Sequence, residues 1–295
     1  MSATMTFKQS IRSMKAAFAL VAATCGLIAA QPAMAEGGSL HPKHGGFSFE
    51  GPFGRFDQGQ LQRGYKVYRE VCASCHSMDL MYFRTLAEPG GPFYDAHQVS
   101  AAENRFVKVL AAEAQIPDID TETGEPIRRD GTPADKFPNP YPNATAAAAA
   151  NGGAAPPDLS VMAKARHDGA NYIYSLMSGY RTPPAGLQIR PGQYYNPYMA
   201  GDLTPFWTGD HDHVPPGGFI AMPPPLIQAG QVQYDDGTVA SVDQMSKDVA
   251  AFIAWASDPK QVQRKQSGVG VLIFLILFAG VTYLSYRRIW KGVAH

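Results

Sequence analysis

A charge-free apolar segment near the C-terminus is the strongest constraint on how this chain can fold. Residues 266–286 contain no charged side chain, and residues 271–278 are continuously apolar. Lipid offers the backbone no hydrogen-bond partner, so a segment crossing it must be helical, and about 20 helical residues span the ~30 Å hydrocarbon core. Basic and aromatic side chains flank the segment: Arg264, Lys265, Tyr283, Tyr286, Arg287, Arg288, Trp290 and Lys291. This interfacial pattern argues against a buried core helix and predicts a transmembrane anchor at 266–287.

The N-terminus has the pattern of a secretory signal peptide. Lys8, Arg12 and Lys15 precede an apolar stretch at 16–30, and Ala33-Met34-Ala35 supplies a small-x-small cleavage site. The sequence therefore predicts a signal peptide at 1–35, an exported domain at 36–265 and a cytoplasmic tail at 288–295. In a bacterium this topology puts the large domain on the periplasmic side of the inner (plasma) membrane, held by a single pass.

The composition narrows the class of the exported domain. The 25 Lys and Arg residues balance 25 Asp and Glu residues, and a chain without net charge is a poor partner for nucleic acid. The 29 Gly and 24 Pro residues predict long ordered loops. The fold class predicted is mainly α, with few helices, extended loops and no sheet.

Three helices are predicted in the exported domain. Leu61, Tyr65, Tyr68 and Cys72 recur with helical spacing. Asp158 is a candidate N-cap for a helix running to about Gly179. Residues 241–244 have the form of a capping box and open a helix that ends at Asp258-Pro259, with an apolar stripe of Met245, Val249, Phe252 and Ala256.

The motif that carries chemistry is Cys72-Ala-Ser-Cys75-His76, the attachment pattern for haem c. Two thiols three residues apart can form thioethers to the two vinyl groups of one porphyrin, and the adjacent His supplies an imidazole to the iron. A structural zinc site would need four ligands, and a second Cys pair is absent from the sequence. A thioredoxin-like motif would open a helix in an α/β pattern. The sequence predicts one covalently bound haem c held by Cys72, Cys75 and His76.

The sixth iron ligand is predicted to be Met222. It lies in the segment Gly217-Gly-Phe-Ile-Ala-Met-Pro-Pro-Pro225, where Pro223 favours an extended conformation of Met222 and the prolines stiffen the loop. Met78 and Met81 follow His76 too closely to reach the opposite face of a haem. Other side chains stay open as alternatives: Met162, Met177 and Met245, for which core packing is favoured, and His97, His167, His211 and His213.

Three weaker signals have simpler interpretations beside the functional ones. Arg166 is a candidate partner for a haem propionate, because guanidinium binds carboxylate bidentately. The acidic segment 118–125 could attract a basic partner or be a solvated loop. The segment 210–213, Asp-His-Asp-His, could bind a metal but is more typical of a polar loop.

These residues, taken together, resemble the cytochrome c1 family, the haem subunits of cytochrome bc1 complexes. The resemblance spans most of residues 40–290. It rests on the segments 63–78, 137–143 (Phe-Pro-Asn-Pro-Tyr-Pro-Asn), 151–160, 165–167, 195–198, 220–224 (Ile-Ala-Met-Pro-Pro), 247–249 and 255–259, followed by the C-terminal anchor.

The resemblance implies an elaborated class I cytochrome c domain, mainly α, in which the helix at 60–72 packs near that at 242–256. It implies an electron carrier of the respiratory chain rather than an enzyme, with cytochrome b, a Rieske iron–sulfur protein and a soluble or tethered cytochrome c as partners. His76 and Met222 would ligate the iron and Arg166 would meet a propionate. The alternatives are a membrane-tethered cytochrome c that feeds a terminal oxidase, or a haem peroxidase, which would need an exchangeable distal ligand.

Two departures from the family pattern concern the Met222 loop. Residues 199–217 look like an insertion directly before it. Some bacterial relatives brace this loop with a disulfide, for which this chain has no spare Cys. Another interaction is therefore expected to hold Met222.

Overall fold

The computed structural model describes residues 38–292 of the chain. The predicted signal peptide and the last three residues lie outside the described residues. Helices form at α1 (Gln58–Glu70), α2 (Arg105–Ala112), α3 (Ala144–Ala150), α4 (Gly169–Met177), α5 (Val242–Ser257) and α6 (Gln261–Ile289). Short antiparallel strands pair β1 (Gln115–Ile119) with β2 (Pro126–Asp130) and β3 (Tyr194–Asn196) with β4 (Gly218–Ile220).

The centre of the domain that precedes α6 is the crossing of α1 and α5. Gly64 of α1 lies against the α5 backbone, because a Cβ built there would come within 2.0 Å of the Asp248 carbonyl oxygen. This close approach lets Tyr65 and Tyr68 pack their rings on Phe252, at centroid distances of 5.5 and 5.6 Å. The predicted packing of these two helices is therefore present, and the predicted α5 stripe is buried.

A buried ion pair joins the same two helices. Asp248 is fully buried, and its carboxylate accepts from Arg63 Nε at 2.9 Å and from Gln244 Nε2 at 2.9 Å. Arg63 also donates to Asp236 at 2.6 Å, in the chain leading into α5. A buried carboxylate is tolerated only where such partners replace its lost hydration.

Removing the Arg63 charge should therefore destabilise the domain strongly. Arg63→Met keeps much of the side-chain volume but leaves Asp248 buried without its cation, so we expect a loss of about 3 kcal/mol in the free energy of unfolding. Chemical denaturation followed by circular dichroism measures it. Lys66→Met is the matched control on the same helix, since its partner Asp235 is 87% exposed and exposed pairs contribute little. Equal losses in both variants would contradict a dominant role for the buried pair.

Two predictions about secondary structure are wrong. Strands do form, although each pair is short and local. The helix expected from Asp158 starts instead at Gly169, and residues 159–168 form turns. Asp168, with φ of +62°, holds the N-cap position of α4. The N-terminus of α5 is as predicted: Ser241 accepts from Gln244 N at 3.0 Å, although the Gln244 side chain turns to Asp248 rather than back to Ser241.

Helix α6 contains the C-terminal apolar segment and is long and apolar enough to cross a membrane. Three residues separate it from the end of α5, and it extends past the predicted anchor at both ends. All of its residues from 269 to 289 are exposed. Such exposure of a long apolar helix is typical of a helix that spans a membrane.

Candidate functional site

The Cys72–His76 motif lies on the turn that ends α1. The helix stops at Glu70, and a 3-10 turn, Cys72–Ser74, follows. The backbone amides of Cys75 and His76 both donate to the Cys72 carbonyl, at 3.1 and 2.9 Å. This bifurcated turn brings both cysteines and the histidine to one end of the helix, with all three side chains half-buried.

The ring of His76 is fixed by a contact that the motif itself does not reveal. Its Nδ1 lies 2.7 Å from the Pro157 carbonyl oxygen. A carbonyl only accepts, so Nδ1 carries the proton and Nε2 keeps a free lone pair. Burial lowers the pKa of His76, and the hydrogen bond to Pro157 opposes that shift without reversing it. The imidazole is therefore neutral at neutral pH and ready to act as a ligand through Nε2.

The segment that carries Pro157 is attached to the motif at several points. Asp158 accepts from Ser77 Oγ at 2.9 Å and from Asp79 N at 2.8 Å, and Leu159 N donates to the Ser77 carbonyl at 2.9 Å. The carboxylate that sequence reasoning assigned to a helix cap thus fastens the chain beside His76 instead. Nothing in its spacing distinguishes the two roles.

The surroundings of the Cys72 thiol differ from those of a thioredoxin-like cysteine. Burial raises the pKa of Cys72 to about 12, with a smaller contribution from the nearby Cys75. A thioredoxin-like cysteine needs the opposite shift, because the thiolate is its reactive form. Among the described residues, no group of three or more His, Cys, Asp or Glu side chains could hold a metal ion. Nothing here supports the zinc or thioredoxin alternatives.

Met222 follows a strand whose position is tightly defined. Strand β4 pairs Gly218 with Asn196 and Ile220 with Tyr194, and Met222 comes two residues later with its side chain half-buried. Gly217 has φ of +109°, and a Cβ there would come within 2.4 Å of Pro197 Cα. Only glycine fits this approach, so the Gly217-Gly218 pair sets the course of the loop.

The insertion before this loop packs against it rather than projecting from the domain. Leu187, Tyr195 and Leu203 form a small buried core separate from the main one. Phe206, Trp207, Val214 and Phe219 pack onto it, and the rings of Phe206 and Phe219 meet edge to face at 5.2 Å. The insertion therefore supports β4 directly, which is one substitute for a disulfide.

A tyrosine supplies the second substitute. The hydroxyl of Tyr180 donates to the Met222 carbonyl at 3.0 Å. Burial raises the pKa of Tyr180, so its hydroxyl stays protonated and remains a donor. Sequence reasoning did not find this residue, since a tyrosine 42 positions from its partner carries no local signal.

The competing sulfur and nitrogen ligands are mostly engaged elsewhere. Met78, Met81 and Met245 are almost fully buried in the main core, and Met162 and Met177 pack against it. Tyr172 OH lies 3.6 Å from Met199 Sδ. His213 Nδ1 lies 2.7 Å from Asp210, while His97 and His167 are exposed. Met222 is also half-buried, and it lies two residues after strand β4, so it stays the predicted sixth ligand.

Segment 157–180 connects the predicted site residues. The carbonyl of its first residue, Pro157, contacts His76 Nδ1, and the hydroxyl of its last residue, Tyr180, donates to the Met222 carbonyl. Arg166 lies between Pro157 and Tyr180 in sequence. Arg166 is exposed and donates to the Ala165 carbonyl at 3.0 Å. The structure thus brings Cys72, Cys75 and His76 together on one turn and links them through this segment to the Met222 loop.

The acidic segment 118–125 forms the tip of the β1–β2 hairpin. Asp118 pairs with Arg129 at 2.5 Å, and Asp120 accepts from the turn amides of Glu122 and Thr123. These local partners are sufficient to explain both carboxylates, so the solvated-loop interpretation is favoured.

Comparison with known proteins identifies the family. The model of the Cytochrome C1 family matches residues 47–293. This chain belongs to the cytochrome c1 family. It is 40% identical to cytochrome c1 of Rhodospirillum rubrum, over 91% of this chain and 97% of that protein. It is 41% identical to "Cytochrome c1, heme protein, mitochondrial" of Saccharomyces cerevisiae, over 86% and 74%. It is 42% identical to "Cytochrome b/c1" of Bradyrhizobium diazoefficiens, over 93% of this chain but 39% of that longer protein.

Family membership confirms the resemblance and the mainly helical fold class with a C-terminal apolar helix. As a family member, the chain is an electron-carrier subunit and not an enzyme in its own right, as predicted. Bacterial relatives together with α6 fit a single-pass membrane protein.

Proposed function

We propose that the chain is the haem c subunit of a bacterial ubiquinol–cytochrome c oxidoreductase. It would take electrons from a Rieske iron–sulfur protein and pass them to a soluble or tethered cytochrome c. The observation that carries the proposal is the neutral His76, whose Nδ1 is committed to Pro157 and whose Nε2 is free to bind iron. Membership in the cytochrome c1 family supports the assignment of the chain to such a complex.

The donor set fits one covalently bound haem c. Cys72 and Cys75 would hold the haem as thioethers, His76 and Met222 would ligate the iron, and Arg166 would meet a propionate. Bound in this way, a haem iron with one imidazole and one thioether accepts and releases a single electron at high potential. The Pro157 carbonyl holds the proton on His76 Nδ1, and the Tyr180 hydroxyl positions the Met222 loop.

The proposed topology follows the predicted domains. Residues 1–35 would be cleaved on export, 36–265 would fold in the periplasm, 266–287 would span the inner membrane and 288–295 would lie in the cytoplasm. The basic residues at the end of α6 support this orientation, because Lys and Arg favour the cytoplasmic side.

Purification in mild detergent tests the role. Cytochrome b and an iron–sulfur protein should accompany the chain, and the complex should reduce cytochrome c with a quinol. Recovery with a terminal oxidase instead would favour the tethered cytochrome alternative. A high-spin spectrum with tight cyanide binding would favour the peroxidase.

Tyr180 gives a specific prediction about the ligand loop. Tyr180→Phe removes the hydroxyl that holds the Met222 carbonyl, so the loop should open more readily. A neutral hydrogen bond contributes about 1 kcal/mol. The equilibrium constant for loss of the Met222 bond to ferric iron at raised pH should therefore increase roughly fivefold. Titration of the methionine–iron absorption band measures this change.

Tyr195→Phe is the matched control. Its hydroxyl donates to the Pro216 carbonyl at 2.7 Å, in the insertion rather than in the ligand loop. We expect this variant to lose a similar amount of stability while the pH at which the band disappears changes less. Identical titrations for Tyr180→Phe and the parent would show that the hydroxyl does not hold the ligand loop.

Anchoring gives a second prediction. A stop codon after Pro259 removes α6, and the haem-loaded domain should then appear in the soluble periplasmic fraction, because that helix is the candidate span among the described residues. The test uses a strain without cytochrome b, which could otherwise retain the domain. Truncated protein that stays in salt-washed membranes of such a strain would contradict a single anchor.

A further inference from the structure

The start of α6 is tied to a loop of the exported domain. Lys265 donates through Nζ to the Phe49 carbonyl at 2.8 Å and to the Gly51 carbonyl at 2.7 Å. These residues belong to the loop 48–55, here named the Phe53 loop. The contact joins positions more than 200 residues apart in sequence, so it is tertiary rather than local.

The Phe53 loop is a defined turn. Arg55 N donates to the Ser48 carbonyl at 3.0 Å, and Ser48 Oγ donates to the Arg55 carbonyl at 2.8 Å, which closes its two ends. Beneath it, the rings of Phe49 and Phe56 stack at 4.4 Å. A loop closed and supported in this way holds whatever it presents in a fixed position.

The loop presents a large apolar side chain beside a cation. Phe53 is 79% exposed, Pro52 is exposed next to it, and Arg55 is exposed two residues later. One exposed phenylalanine is not unusual on a soluble protein. Phe53 differs because Lys265 ties its loop to the N-terminal part of an exposed apolar helix.

The height of the loop above the hydrocarbon core follows from helix geometry. Lys265 lies four residues before Val269, the first exposed apolar residue of the span, which is about 6 Å along a helix axis. The headgroup layer is about 5–8 Å thick on each side. The Lys265 ammonium, and the carbonyls it binds, are therefore at headgroup level when α6 spans the membrane.

We propose that the Phe53 loop is a membrane-contact element, with Phe53 inserted among lipid headgroups and Arg55 beside their phosphates. An aromatic ring next to a cation is the combination favoured at this depth. The loop gives the exported domain a second contact with the bilayer and limits its rotation about α6. This inference rests on the proposed membrane anchoring by α6.

Site-directed fluorescence tests the proposal on the full haem-loaded chain in vesicles of phosphatidylcholine and phosphatidylglycerol. Phe53→Cys and, as control, Val239→Cys are labelled with a small fluorophore. Val239 is 78% exposed and lies just before the N-terminus of α5, whereas α6 follows the C-terminus of that helix. Brominated lipid should quench the fluorophore at position 53 and aqueous iodide should not, with the reverse at position 239. Adding Lys265→Met to Phe53→Cys should restore iodide quenching by releasing the loop.

Iodide quenching at position 53 equal to that at position 239 would overturn the proposal. Protection from both quenchers in the intact complex would also overturn it, because a partner protein would then cover the loop. Failure of the proposed haem attachment is detected separately. If haem were not attached, the chain without an added cysteine would take up the thiol label on Cys72 and Cys75, and this result does not depend on quenching at position 53.

Discussion

Replacing Met222 with leucine should lower the reduction potential of the bound haem by a few tenths of a volt. A thioether favours ferrous over ferric iron relative to nitrogen or water ligands, and axial ligation spans roughly 0.8 V across haem proteins. Electron transfer from an iron–sulfur centre would then be uphill, and quinol oxidation by the complex should stop. Redox titration and loss of the weak ferric absorption band that is typical of methionine–iron ligation measure the change.

Covalent haem should persist in this variant, because Cys72, Cys75 and His76 are untouched and lie on another element. Met199→Leu is the matched control: its sulfur lies 3.6 Å from the Tyr172 hydroxyl, in the chain beside β3. We expect it to keep both the band and the potential. If Met222→Leu kept them while Met199→Leu lost them, the sixth ligand would be Met199.

Removing either motif cysteine should severely reduce covalent haem. Cys72→Ala and Cys75→Ala each delete one thioether, and the chain is expected to reach the membrane with little haem that resists acid–acetone extraction. The pyridine haemochrome spectrum measures the remaining vinyl groups. Ser74→Ala, at the exposed position between the cysteines, is the control and should retain normal attachment. Normal, extraction-resistant haem in both cysteine variants would contradict attachment at this motif.

Covalent haem should be still more sensitive to substitution of His76, since the fold holds its imidazole in one tautomer before haem binds. The Pro157 contact is made through a backbone carbonyl, so no side-chain substitution at position 157 removes it directly. The orientation of the ligand is thus a property of the fold around residues 157–160.

Features whose signal is local could be predicted from the sequence. The apolar segment within α6, the stripe of α5 and its Ser241 N-cap depend on spacing within a few residues, and each lies where that spacing predicted it. The haem role of the motif Cys72–His76 also rests on spacing and stays a prediction. The packing of α1 against α5 was predicted from the family resemblance. The structure shows its physical basis, which is the close approach of the two backbones at Gly64.

The contacts that hold the two candidate ligands could be identified only in the folded structure. The contact between His76 and Pro157 spans 81 positions and that between Tyr180 and Met222 spans 42. The sequence alone makes Asp158 a candidate helix cap, whereas in the fold its carboxylate accepts from the distant Ser77 hydroxyl and Asp79 amide. The short strands β3 and β4 and the small core of the insertion likewise form because distant segments bury one another's apolar groups and satisfy one another's backbone. Such pairings depend on which surfaces meet, and no periodicity within one segment encodes that.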